Sequence, residues 1–137
     1  GKTSDPFVML KLGKQNHKTK AISKDLSPVW TREHDNKKKF KATQYDRLHH
    51  QEHGTIEPGS LKIVVKDEGT MVHTQLGECT VDLNTWFKNN GKSAERQWFK
   101  LNADSKKKKD AGEIELKIEL RATVAKARER GSSTSGR

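Results

Sequence analysis

The sequence predicts an all-β fold, an antiparallel β-sandwich, and three observations carry that expectation. Apolar residues recur at every second position in several short segments, the period of a strand with one face on a core. Clusters of Gly, Pro, Asn and Asp punctuate those segments. No long amphipathic helix intervenes, which disfavours a parallel sheet, whose strands need crossover helices.

Val8, Leu10 and Leu12 alternate in the first segment, and Gly13 ends it. Lys18-Thr19-Lys20-Ala21-Ile22 forms a short polar strand, and Pro28 then interrupts a ladder that Trp30 resumes. Leu61, Ile63 and Val65 alternate after the Pro58-Gly59 turn signal, and Val81 and Leu83 follow Gly77 in the same manner. Trp98, Phe99 and Leu101 make a short aromatic strand. Ile114, Leu116, Ile118 and Leu120 interleave with Glu113, Glu115, Lys117 and Glu119 in the clearest strand of the chain. Residues 35–57 read as a long polar insertion, and Trp86 opens a second polar connection through Asn89-Asn90-Gly91. Residues 125–137 read as a basic tail too polar to offset the entropy of ordering, so the domain is expected over 1–124.

A chain of 137 residues accommodates one domain, and 30% hydrophobic against 34% charged residues implies a compact core. There is no apolar run of about 18 residues and no signal-peptide pattern, so spanning and secretion are disfavoured and a cytoplasmic location is expected. Cys79 is the single cysteine and cannot form an internal disulfide. A net charge of +10 points towards polyanions: phospholipid headgroups, nucleic acid or acidic proteins. Charge alone does not choose among them.

Short motifs contribute little. His49-His50-Gln51-Glu52-His53 contains the H-x-x-E-H spacing of inverted zinc proteases, but lies in a polar insertion without an apolar helical face or a third ligand. Gly1-Lys2-Thr3 imitates the end of a phosphate-binding loop without its upstream glycine or strand. Cys79 sits beside Val81 in a strand with no paired base, which suits a buried thiol rather than a nucleophile. Nucleic acid is disfavoured because no recognition motif accompanies Trp30, Trp86 and Trp98, of which at least two occupy strand contexts that predict core.

The run Gly1-Lys2-Thr3-Ser4-Asp5-Pro6-Phe7-Val8, then Leu10-Lys11-Leu12-Gly13, Lys18-Thr19-Lys20 and Leu26-Ser27-Pro28-Val29-Trp30, resembles the opening half of a C2 domain. Leu61 through Asp67 resembles the strand entering that family's third calcium loop, and Leu76-Gly77-Glu78 the exit from it. Trp98-Phe99-Lys100-Leu101 and Gly112-Glu113-Ile114-Glu115-Leu116 resemble the last two strands, and the order is collinear over about residues 1–121. The family's synaptotagmin-like topology has another strand and an acidic residue ahead of the position of Gly1. The resemblance therefore implies a C2-type sandwich with seven of the usual eight strands, and a calcium- and phospholipid-binding ancestry.

Calcium takes about six to eight oxygen ligands, and the family supplies about five carboxylates at one end of the sandwich. By the resemblance, Asp5 and Asp67 match two of those positions, whereas Gly69 and Thr74 fall where two others belong. Two carboxylates with backbone carbonyls and water make a weak calcium site, so calcium is not a required cofactor. Asp5 equally serves to start a turn before Pro6, and Asp67 equally reads as an ordinary loop carboxylate.

Without calcium as a bridge, lipid binding falls to cations. Lys11, Lys18 and Lys20 lie on the strands that carry a polybasic patch in membrane-binding relatives, and Lys37, Lys39 and Lys41 share one face of an extended segment around Phe40. For any single lysine a merely solvated face is the better explanation; the cluster carries the case. Met71 and Val72 fall at the tip of the third loop, apolar enough for shallow insertion or for packing. Lys106-Lys107-Lys108-Lys109 reads as a solvated loop with nonspecific attraction to polyanions. The sequence thus predicts a non-enzymatic peripheral module for anionic phospholipid membranes, with a protein-binding scaffold as the alternative.

Overall fold

The computed structural model describes residues 5–23, 27–45, 55–68, 74–92, 95–103 and 111–121. Its centre is a four-stranded antiparallel sheet built from β1 (Pro6–Leu12), β2 (Gln15–Lys18), β5 (Ser60–Asp67) and β6 (Thr74–Asp82), in the order β2-β1-β5-β6. Two further strands, β3 (Thr43–Tyr45) and β4 (Thr55–Glu57), pair with each other, as do β7 (Gln97–Lys100) and β8 (Glu113–Leu116). Among the described residues there are eight strands, all paired antiparallel, and one two-turn helix, α1 (Leu83–Asn90).

The alternation read from the sequence becomes the inner face of the sheet. Val8 and Leu12 of β1, Leu61, Ile63 and Val65 of β5, and Cys79 and Val81 of β6 form one buried cluster with Leu83, Leu101 and Ile114. Ile63 has no solvent exposure at all, a burial that stabilises by about 1.5–3 kcal/mol. The β7–β8 layer closes this cluster from the other side through Ile114, Leu101, Phe99 and Leu116. At its edge, the backbones of Glu78 and Asn102 exchange two hydrogen bonds, of 3.0 and 2.7 Å, which tie β6 to the residue beyond Leu101. Gly77 lets the layers approach: a Cβ there would stand 2.9 Å from the Ala111 Cβ and 3.0 Å from the Leu101 Cβ.

Several elements differ from the sequence expectation. The second strand is Gln15–Lys18 rather than 18–22, because the chain reverses directly through Gly13, at φ +62, and Lys14. Beyond Lys18, Thr19 still pairs with β1, its N–H donating to the Val8 carbonyl and its hydroxyl accepting from the Val8 N–H, and the Ile22 N–H donates to the Pro6 carbonyl at 3.0 Å. Trp30 does not resume a strand; it precedes a 3₁₀ turn, Arg32–His34, in which Thr31 and His34 cap each other. The polar region 35–57 contains β3 and β4. Leu83, expected in a strand, and the polar connection expected from Trp86 through Asn89-Asn90 belong to α1, whose N-cap Asp82 accepts from the Asn84 and Thr85 N–H groups. Asn84 then clamps Ile56 of β4, accepting from its N–H at 2.8 Å and donating to its carbonyl at 3.1 Å. The final strand stops at Leu116, after which the Leu120 N–H donates to the Lys92 carbonyl. Trp98 stands 62% exposed, because Phe99 takes the inward position of β7, while Trp30 and Trp86 are half-buried against the core.

Gly77→Val should wedge the two layers apart and destabilise the domain by about 1–3 kcal/mol, read as a lower urea midpoint. An unchanged midpoint would mean that the layers are not held this closely.

Candidate functional site

Because Val8, Leu10 and Leu12 face inward, Phe7, Met9 and Lys11 lie on the outer face of the four-stranded sheet, and Lys62, Val64 and Lys66 of β5 share that face. The register sets Lys11 directly opposite Lys62, and Phe7 opposite Lys66. Met9 lies between Lys18 of β2 and Val64 of β5, and Val64 faces Glu78 of β6. The result is an apolar strip, Phe7, Met9 and Val64, of which Phe7 and Val64 are buried and Met9 is half-buried, bordered by Lys11, Lys18, Lys62 and Lys66. The Lys18 ammonium lies 5.6 Å from the centroid of the Phe7 ring, a cation–π distance.

Two like charges directly across a sheet oppose each other by roughly 0.2–1 kcal/mol, so the Lys11–Lys62 pairing is a local cost to the fold. Lys62 is partly relieved by Glu78, with Nζ 3.5 Å from Oε1, and both side chains remain well solvated. Such a pair is worth about 0–1 kcal/mol. Among the described residues, Lys11 and Lys66 have no ion-pair partner.

Of the other lysines singled out, Lys20 lies just past β2 and is exposed. Lys37, Lys39 and Lys41 are exposed and alternate with half-buried Lys38 and Phe40. Phe40 packs against the core and meets His17 edge-on, with centroids 4.7 Å apart. Gln15 holds this segment to β2 by accepting from the Lys41 N–H at 2.8 Å and donating to its carbonyl at 2.7 Å. The segment is thus moored beside the sheet but is not part of it. Lys38 is held by Asp35 at 2.6 Å, and that bonded ammonium holds the Asp35 carboxyl below the usual carboxylate range. Lys62 and Lys66 were missed in the sequence, although their phase against Leu61, Ile63 and Val65 places them with Lys11.

At one end of the sheet, Asp5 and Asp67 come together. The Asp67 Oδ1 accepts from the Asp5 N–H at 3.0 Å, and the Asp5 carbonyl accepts from the Glu68 N–H at 3.0 Å. Asp67 therefore joins the chain entering β1 to the end of β5. Among the described residues, no cluster of three or more His, Cys, Asp or Glu side chains could hold a metal. Met71, Val72, Gly69, Gly1-Lys2-Thr3, the H-x-x-E-H residues 49–53, the lysines 106–109 and the tail 125–137 lie outside the described residues. Cys79 is buried, and its burial, with a smaller effect of the neighbouring Glu78 carboxylate, pushes the thiol up.

The described residues thus form antiparallel sheets around one shared core, with lysines displayed on the four-stranded sheet. The chain belongs to the C2 domain family, whose model matches residues 1–101. It is 33% identical, over 84% of its length, to a C2 and GRAM domain-containing protein of Arabidopsis thaliana, of which the match covers 10%. A segment of 32 residues, 23% of the chain, is 53% identical to Protein C2-DOMAIN ABA-RELATED 11 of the same plant, covering 19% of that protein. The chain thus spans between a tenth and a fifth of the curated relatives it matches. C2 domains are generally non-enzymatic modules that commonly bind calcium, phospholipids or proteins. Among the described residues, no helix is long and apolar enough to cross a membrane.

Asp67→Ala removes the acceptor for the Asp5 N–H and should cost about 1 kcal/mol, whereas Asp67→Asn, which keeps an oxygen, should cost less. Urea denaturation without metal checks this, and equal losses would remove the structural role from Asp67. Cys79, with its raised pKa, should be alkylated by iodoacetamide at pH 8 much more slowly in the native chain than in urea. Equal rates would show the thiol to be accessible.

Proposed function

We propose that this domain docks on anionic phospholipid membranes through the outer face of its four-stranded sheet, with calcium dependence weak or lost. The observation that carries this reading is the direct Lys11–Lys62 pairing, with Lys18 and Lys66 around an apolar strip. Mutual repulsion at that face is relieved when anions bind, and each lysine near an anionic leaflet contributes about 1 kcal/mol at modest salt. Lys20, Lys37, Lys39 and Lys41 widen the basic surface, and Met71 and Val72 enter the headgroup region from the third loop. Asp5 and Asp67 are remnants of a calcium site rather than a working one, a reading supported by Gly69 and Thr74 standing in the sequence where the family places two further carboxylates. The surface that fits is the anionic cytoplasmic leaflet, engaged by residues 1–124.

Protein binding is the second reading, and the observation in its favour is the solvent-exposed indole of Trp98 on the opposite layer.

In liposome cosedimentation, the chain should pellet with phosphatidylserine vesicles and not with phosphatidylcholine vesicles, equally in calcium and in chelator, and the binding should fade as salt rises. Lys11→Glu with Lys62→Glu should weaken this binding at least tenfold, and Lys37→Glu with Lys39→Glu by less. Retention by phosphatidylserine only in calcium would overturn the reading of Asp5 and Asp67. Unchanged binding by the Lys11/Lys62 variant would move the contact away from the sheet face.

A further inference from the structure

The outer face of the β7–β8 layer sets carboxylates beside an exposed indole. Register places Trp98 across from Glu115, and Lys100 across from Glu113, with Phe99 and Ile114 on the other side against the core. Within the strands this face has two carboxylates and one ammonium, and exposed Arg96 and Lys117 lie just beyond the strand ends, in a chain of net charge +10. Among the described residues, neither Glu113 nor Glu115 has an ion-pair partner, and Lys100 does not close on Glu113 despite standing opposite it. Beside the indole, a shallow open depression of about 460 Å³ is lined by Trp98, Lys100, Gly112 and Glu113. Gly112 leaves its floor clear, since a Cβ there would meet nothing within 4 Å.

A solvent-facing indole flanked by unpaired carboxylates is complementary to a planar cation. The ring attracts a cation to its face, a guanidinium stacks there better than an ammonium, and carboxylates accept its fork of N–H donors. Trp and Arg are also the residues that most often anchor protein interfaces. An anionic bilayer is a poor match, because it would repel Glu113 and Glu115, and the lysine face that suits it turns away from the shared core on the other side of the sandwich.

We infer that the Trp98 face binds an arginine-bearing segment of a partner protein, one guanidinium stacking on the indole and bonding to Glu113 or Glu115. This deepens the second reading above and is independent of membrane docking. The probe is a capped tetra-arginine peptide, titrated into the whole 137-residue chain and followed by amide and indole NMR shifts. The shifts should centre on Trp98, Glu113 and Glu115. W98A, and E113K with E115K, should each weaken peptide binding at least tenfold while leaving retention by phosphatidylserine vesicles undiminished. Trp98 is exposed, so its replacement should leave the circular dichroism spectrum unchanged. Shifts elsewhere but not at Trp98, equal shifts with tetra-glutamate, or undiminished peptide binding by both variants would overturn the inference. Loss of vesicle binding by the Lys11/Lys62 variant with peptide binding intact would support it, and separates its fate from that of the membrane reading.

Discussion

Seven residue pairs between β1 and β5 fix which side chains this domain hides and which it displays. The side-chain period of a strand is two, so one register serves both purposes: it puts Val8, Leu12, Ile63 and Val65 inside, and leaves Lys11, Lys62 and Lys66 outside. A slip of one residue would bury ammonium groups and expose the cluster around Ile63, at a cost no local adjustment recovers. Core packing therefore enforces the lysine geometry, including the unfavourable Lys11–Lys62 apposition. The β7–β8 layer depends on the same register, because it has an apolar face to cover only while Ile63 and its neighbours point towards it.

Strands were legible in the sequence wherever alternation ran undiluted. Val8 to Leu12, Leu61 to Val65 and the Trp98-Phe99 pair emerge as strands because alternate residues of each meet the core, with exposed Lys11, Lys62 and Trp98 between or beside them. Legibility failed where pairing rather than hydrophobicity defines the element. Gln15 to Lys18 carries no apolar signal and becomes a strand only because Gly13 and Lys14 turn it back onto β1. Thr43–Tyr45 and Thr55–Glu57 are too short to show a period and exist through each other. For α1, Asp82 two and three residues ahead of the N–H groups it caps was a usable start signal, obscured by Asn89 and Asn90.

For the site, the basic character was legible and its assembly was not. Lys11 and Lys18 belong to the face proposed for docking, but Lys62 and Lys66, far away in sequence, complete it through long-range pairing that no linear motif displays. Position alone singled out Asp5 and Asp67, while the hydrogen bond between the Asp67 carboxylate and the Asp5 backbone required the fold. That bond gives Asp67 a reason to persist that has nothing to do with metal.

The Asn84 clamp on Ile56 has an architectural consequence. It anchors the returning arm of the hairpin to α1 immediately before β5 begins, so the entry to the central sheet is fixed from its own side. The length of chain between Tyr45 and Thr55 can then change at little cost: doubling the length of a loop costs only about 0.6 kcal/mol in closure entropy, and none of that change need be transmitted to the register of β5. A domain so arranged can vary one connection freely while both of its displayed faces keep their spacing.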